Sequence, residues 1–104
     1  MDNTADSTTV TREMGCTAAD FDRWLPGATR HAPLESVIEA GRIRHRVTVG
    51  AGAVDIVLEE RPPRRIAGIV LPVLLVSFRF IALDAAQRRA FLDYFDHYTR
   101  RGGG

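Results

Sequence analysis

The sequence predicts a single α+β domain: a short N-terminal helix, an antiparallel sheet of four to five strands within about residues 35–81, and a C-terminal amphipathic helix over about residues 85–101 that packs on one face of the sheet. Two patterns carry this prediction. Apolar and polar residues alternate with period two through the middle of the chain, and aromatic residues recur at helical spacing near its end. A chain of 104 residues is long enough for one domain with one hydrophobic core.

Composition narrows the class of protein without indicating an activity. Apolar residues make up 45% and charged residues 26%, and the net charge is +1, so no charge bias points to nucleic acid or to an anionic membrane. The single cysteine, Cys16, cannot form an internal disulfide, and the polar N-terminus lacks the basic and apolar regions of a secretory signal. We therefore expect a cytoplasmic protein.

The N-terminal residues offer little to bury. Residues 1–15 are rich in Thr, Ser and Asp, so we expect a disordered tail there, followed by a single α+β domain over 16–104. Thr17 and Asp20 then have the spacing of a helix capping box. A short helix of about eight residues is predicted there, and Pro26-Gly27 is expected to end it. Its apolar stripe consists of Phe21, Trp24 and Leu25.

Residues 42–59 predict a β-hairpin, because two alternating segments flank a Gly-Ala-Gly sequence. We expect Val49 to pair with Val54, which brings Arg44 opposite Glu59 on the polar face. A shift of one residue would place the arginines opposite apolar side chains and disrupt both faces.

The next segment allows a membrane span or strands. Pro62 and Pro63 are expected to break the sheet, since a central strand does not accommodate two prolines. Residues 66–83 contain one charged side chain, Arg79, and are nearly long enough for a span. Strands explain the segment better, because Pro72 divides it into two pieces of strand length and β-branched residues are frequent.

The C-terminal helix has the clearest signals. Asp84 and Gln87 have the spacing of a capping box, and Gly102 suits the end of a helix. Its aromatic stripe consists of Phe91, Tyr94, Phe95 and Tyr98.

A surplus of apolar residues predicts assembly. If the helices cover one face of the sheet, Val73, Leu75 and Ile81 lie on the other face, where a second subunit could cover them. We therefore expect a homodimer or a complex with another protein, and we expect neither a nucleic acid nor a membrane as partner. The alternative is that the twist of the strands and the N-terminal segment hide these three residues.

Two sets of residues are candidates for binding. Arg42, Arg44 and Arg46 share one face of a strand and could contact an anion or a nucleic acid, although a solvated face with cross-strand ion pairs explains them as well. The second set consists of Trp24, Tyr94 and Tyr98, which could line a ligand pocket between the sheet and the C-terminal helix or belong to the core.

No catalytic residue, metal site or cofactor is predicted. His45 falls in the apolar register of its strand, which favours a buried imidazole with hydrogen-bond partners over a metal ligand. His97 follows Asp93 by four residues, a common surface pairing. The preferred interpretation is therefore a small soluble non-enzymatic binding or accessory module. The alternatives are a ligand-binding protein or enzyme with a pocket beside the C-terminal helix, and an anion or nucleic-acid binder.

Overall fold

The computed structural model describes residues 7–102, with side chains over 8–100, and confirms the predicted α+β architecture. Five strands form one antiparallel sheet in the order β1-β5-β4-β3-β2, and two helices cover one of its faces. The elements are β1 (Ser7–Met14), α1 (Ala18–Ala28), β2 (Leu34–Glu39), β3 (Arg42–Val49), β4 (Gly52–Ile66), β5 (Ile69–Ile81) and α2 (Ala85–Gly102). Strands β2 to β5 are successive neighbours, whereas α1 carries the chain from β1 at one edge to β2 at the other.

Both predicted capping boxes are present. Thr17 accepts a hydrogen bond from the Asp20 backbone at 3.1 Å, and Asp84 accepts one from the Gln87 backbone at 2.8 Å. The expectation that Pro26-Gly27 ends α1 is wrong, because both residues lie inside the helix, which continues to Ala28. Gly27 belongs to this last turn, where the Tyr98 ring lies so close that a Cβ at Gly27 would overlap it.

The hydrophobic core lies between the two helices and the sheet. Phe95 of α2 is its centre: the ring lies 5.6 Å from Phe21 of α1 and 5.1 Å from Phe78 of β5, measured between ring centroids. All three side chains are buried. The aromatic stripe of α2 and the apolar stripe of α1 therefore meet on the same face of the sheet, as their helical spacing predicts.

The predicted N-terminal tail is partly a strand. Residues 7–14 form β1, which pairs with the outer edge of β5, with Val10 opposite Phe78 and Met14 opposite Leu74. Val10 and Met14 pack against the core while the odd-numbered neighbours are exposed. Threonine favours strands, and the free edge of β5 supplies the partner that composition alone does not reveal. Residues 1–6 of the predicted tail lie outside the described residues.

The predicted hairpin exists, but its register is shifted by two residues. Val47, rather than Val49, lies opposite Val54, and a two-residue turn at Gly50 and Ala51 joins the strands. Gly50 has φ +55°, a conformation that favours glycine and suits such a turn. A shift of two residues keeps every side chain on its predicted face, so alternation could not detect it.

The prolines lie inside strands, contrary to the prediction of a break. Strand β4 passes through Pro62 and Pro63, and β5 passes through Pro72, with a register irregularity between Arg61 and Arg64. Beyond this point neither β1 nor β3 continues, so β4 and β5 pair only with each other. Proline is tolerated at bulges and edges, where its missing N–H leaves no ladder bond unmade.

The β4–β5 arm (residues 61–73) is thus a two-stranded projection from the sheet. Its turn at Ala67 and Gly68 is where the chain reverses, rather than at Pro72. The described residues extend over 50 × 29 × 22 Å. The stretch considered as a membrane span contains the whole of β5, and among residues 7–102 no helix is long and apolar enough to cross a bilayer.

Candidate functional site

The predicted arginine row lies on the face of the sheet away from the helices, and carboxylates lie between its members. Arg42 is 3.5 Å from Glu59, and Arg44 is 3.3 Å from Glu39. The predicted contact of Arg44 with Glu59 is wrong because of the two-residue shift in register. An anion or nucleic acid bound at this row would therefore compete with the carboxylates already beside it.

Arg46 makes the best-formed ion pair of this face. Its Nε and Nη2 donate to the two carboxylate oxygens of Asp55 at 2.6 and 2.8 Å, directly across the strand pair. Asp55 is buried at 4% exposure, and Arg44 lies 3.8 Å from it. The hydrogen bonds from Arg46 hold the pKa of Asp55 below its usual range, against the opposing effect of burial. This arrangement is typical of a structural ion pair.

Among the aromatic candidates, Tyr94 and Tyr98 lie side by side on α2, with ring centroids 6.4 Å apart. Tyr94 lines an open cleft of about 370 Å³ at the end of the sheet where the β3–β4 turn lies. The Arg30 guanidinium lies over the Tyr94 ring, 4.2 Å from its centroid, which is a cation–π geometry. Trp24 and Tyr98 pack against the core instead and do not line this cleft. The structure therefore does not gather the three predicted binding residues into one pocket.

The predicted interface residues Val73, Leu75 and Ile81 are each partly buried on the outer face of β5. The most exposed large apolar side chains lie elsewhere, in two patches. We call the first the edge patch; it consists of Leu34, Val37 and Ile38 of β2. We call the second the arm patch; it consists of Ile66, Ile69, Val70 and Leu71 of the β4–β5 arm.

Strand β2 is an open edge of the sheet. All six of its residues are exposed, and Ile38 has 78% of its surface accessible. The Thr48 N–H donates to the Pro33 carbonyl at 2.9 Å, and main-chain bonding alternates along an antiparallel pair. The main-chain groups of Leu34, Ser36 and Ile38 therefore point away from β3, and no strand within residues 7–102 pairs with them.

A chain of side-chain hydrogen bonds links three residues beneath α1. Ser36 Oγ lies 2.6 Å from His45 Nδ1, and His45 Nε2 lies 2.9 Å from Asp22 Oδ1. Ser36 and His45 face each other across β2 and β3, and Asp22 comes from α1. His45 is buried at 5% exposure, Asp22 is about half exposed, and Ser36 is exposed.

The sequence places His45 in the apolar register and predicts hydrogen-bond partners for it, but it does not name them. Ser36 follows from a two-residue turn around Gly41, which places it opposite His45. The contact with Asp22 depends on how α1 crosses the sheet, which no local pattern encodes.

These three side chains line an open apolar groove of about 630 Å³ between α1 and the edge of the sheet. Its aliphatic walls are Leu25, Leu34, Val37, Ile38 and Ile43. Within the part of the chain that the structure describes, no group of three or more His, Cys, Asp or Glu side chains could hold a metal ion. Comparison of the chain with protein-family models, with curated proteins and with solved structures finds no match.

Proposed function

We propose that this protein is a small binding or accessory module that works as a homodimer, with the open edge of β2 as the interface. The observation that carries this proposal is an edge strand in which all six residues are exposed and which bears the edge patch. An exposed apolar edge is a template for another strand, and natural proteins usually protect such edges with charges, prolines or bulges. Strand β2 contains no proline, and its pairing with β3 is continuous.

The opposite edge of the sheet supports the choice of β2. Strand β1 carries polar and charged side chains on its exposed positions, including Thr9, Thr11 and Glu13. Glu13 forms an ion pair with Arg64 at 3.1 Å, and Arg12 forms one with Asp96 of α2. The β1 edge thus presents polar and charged side chains at its exposed positions, whereas β2 has two charged residues, Glu35 and Glu39, beside the three exposed aliphatic side chains of the edge patch.

A second copy of the same strand fits this edge. The residues whose main-chain groups point away from β3, Leu34, Ser36 and Ile38, are symmetric about Ser36, with an aliphatic side chain two positions to either side. In a two-fold antiparallel pairing centred on Ser36, Leu34 of one copy lies opposite Ile38 of the other. Aliphatic cross-strand pairs stabilise such an arrangement, and a two-fold axis repeats each pair.

Size-exclusion chromatography with light scattering tests the proposal. The wild-type chain should give twice its mass of 11.5 kDa. Ile38→Glu, which places a charge in the edge patch, should give a monomer with an unchanged circular dichroism spectrum. Ile69→Glu is the matched control, because Ile69 is also an exposed isoleucine in a strand but belongs to the arm patch.

A wild-type monomer, or a dimer that survives Ile38→Glu and is lost in Ile69→Glu, would contradict an interface at β2. The first outcome would favour a different protein as the partner. The second would assign the interface to the β4–β5 arm.

The Tyr94 cleft supports a second candidate function, the binding of a small molecule. A volume of about 370 Å³ is within the range of small-ligand sites. Phe91 and Tyr94 supply aromatic surface, and Arg30 and Gln87 supply polar groups at its margin. Native mass spectrometry of the freshly purified protein tests this candidate. A bound molecule that is lost in Tyr94→Ala would support it, and retention in that variant would exclude this cleft.

A further inference from the structure

The Ser36–His45–Asp22 chain has the connectivity of an activated nucleophile. In such sites a base contacts the nucleophile and a third group orients the base, with heavy-atom distances of about 2.6–3.2 Å. Both distances here, 2.6 and 2.9 Å, fall in that range. A chemical activity at these residues goes beyond the proposed binding role and differs from the expectation of a non-enzymatic module.

The hydrogen-bonding partners determine where the imidazole carries its proton. An ionised carboxylate can only accept hydrogen bonds, so Asp22 requires the proton on Nε2 of His45. Neutral His45 then presents the lone pair of Nδ1 to the hydroxyl of Ser36. This is the tautomer that a general base for Ser36 needs.

The surroundings of Ser36 indicate the kind of molecule it could meet. Ser36 is exposed and lines the same groove as the aliphatic side chains of Leu25, Ile38 and Ile43. Among the side chains described over 8–100, no Arg lines this groove. An uncharged aliphatic acyl chain fits such walls, and the scissile carbonyl would then lie beside the Ser36 hydroxyl.

We propose that Ser36 is a nucleophile for acyl transfer from aliphatic esters, with His45 as its general base and Asp22 as the positioning residue. Ser36 Oγ forms a bond to the ester carbonyl carbon and gives its proton to His45 Nδ1. The carbon–oxygen bond to the alcohol breaks, and His45 returns that proton to the departing alkoxide. Water then attacks the acyl–serine, loses a proton to His45 and releases the carboxylic acid, while Ser36 regains its proton.

The proposed dimer and this reaction share part of one surface. Pairing of β2 uses main-chain groups at the edge together with the side chains of Leu34 and Ile38, which also line the groove. The Ser36 hydroxyl and the His45 imidazole, which bond to each other on the sheet face that α1 covers, take no part in that pairing. General-base assistance contributes about 10²–10⁴-fold to a rate. We therefore expect activated esters to react, and we expect amides to be too stable.

An octyl fluorophosphonate is the test reagent, with intact and peptide mass spectrometry as the measurement. Its phosphorus forms a bond to Ser36 Oγ as fluoride leaves and the serine proton passes to His45. The wild-type chain should gain one adduct, located at Ser36. Ser36→Ala should abolish it, and Asp22→Asn should slow labelling at least about tenfold, since the amide no longer fixes the His45 proton on Nε2.

Ser77→Ala is the matched control. Ser77 is a partly buried serine on the outer face of β5, with no imidazole paired to it in the sheet register, and its loss should leave labelling unchanged. In Asp22→Asn, the dependence of the labelling rate on reagent concentration distinguishes a positioning role of Asp22 from a structural one. The maximal labelling rate should fall, and the reagent concentration that gives half of that rate should stay the same. Absence of an adduct, an adduct elsewhere, or a Ser36 adduct that forms equally fast in Asp22→Asn would each overturn the proposal.

Discussion

The substitution Gly52→Ala tests the register of the β3–β4 hairpin most directly. Gly52 is the first residue of β4 and lies against the end of β5. A Cβ built there would lie 2.3 Å from the Ile81 carbonyl oxygen and 2.7 Å from that of Ala82. Both oxygens belong to the backbone, so a rotamer change cannot relieve the overlap.

The expected change in the free energy of unfolding follows from this geometry. Cβ atoms essentially never come within 3.0 Å of such neighbours, so the two strands must separate by about 0.7 Å at this point. Overpacking of this kind costs about 1–3 kcal/mol. Alanine also lowers the entropy of the unfolded chain, which offsets about 0.4–1 kcal/mol. We expect a net loss of about 1–2 kcal/mol in the free energy of unfolding.

Urea unfolding followed by the fluorescence of Trp24, the single tryptophan, measures this change. Gly15→Ala is the matched control, because the nearest atom to its added Cβ is the Pro72 carbonyl oxygen at 4.0 Å. That variant should be neutral or slightly more stable. If Gly52→Ala were also neutral, Gly52 would lie in an open loop, as the register predicted from sequence implies, and the two-residue turn would be refuted.

Three further predictions concern the core, the buried carboxylate and the cysteine. Phe95→Ala should lower the free energy of unfolding in urea by about 3–5 kcal/mol, and a loss below 1 kcal/mol would mean that the helices do not meet at this ring. The pKa of Asp55 is lower in the folded protein, so its contribution to stability is complete above the usual pKa of about 3.9 and is lost as pH falls through the lowered value. Unfolding curves below about pH 4 should accordingly be less pH-dependent in Asp55→Asn than in wild type, and equal slopes would be inconsistent with the Arg46 pair. Burial, with a smaller effect from the Asp20 charge, raises the pKa of Cys16 to about 11, so a disulfide reagent should modify it far more slowly in the native protein than in urea; equal rates would show that Cys16 is accessible.

Local patterns in the sequence were sufficient for the helices and for the faces of the strands. Thr17 and Asp84 begin the two helices as their capping boxes predict, and Phe95 points into the core as its helical spacing predicts. These features depend on neighbours within a few residues. The register of the hairpin differs by an even number of residues, so the alternation that identifies Val47 as buried does not determine its partner.

Features that depend on distant parts of the chain were missed. Strand β1 forms because β5 offers it a free edge, and the prolines of β4 are tolerated because β3 has already ended there. The same limit applies to the candidate site. Ser36 opposite His45 could have been derived from the turn at Gly41, whereas the approach of Asp22 depends on the path of α1 across the sheet.

The central claim is that the open edge of β2 makes this chain a homodimer, and light scattering of the Ile38→Glu and Ile69→Glu variants beside wild type tests it most directly. We predict a particle of twice the 11.5 kDa chain mass for wild type and for Ile69→Glu, and a folded particle of one chain mass for Ile38→Glu. A monomeric wild-type protein, or a dimer that Ile38→Glu leaves intact, would contradict the claim.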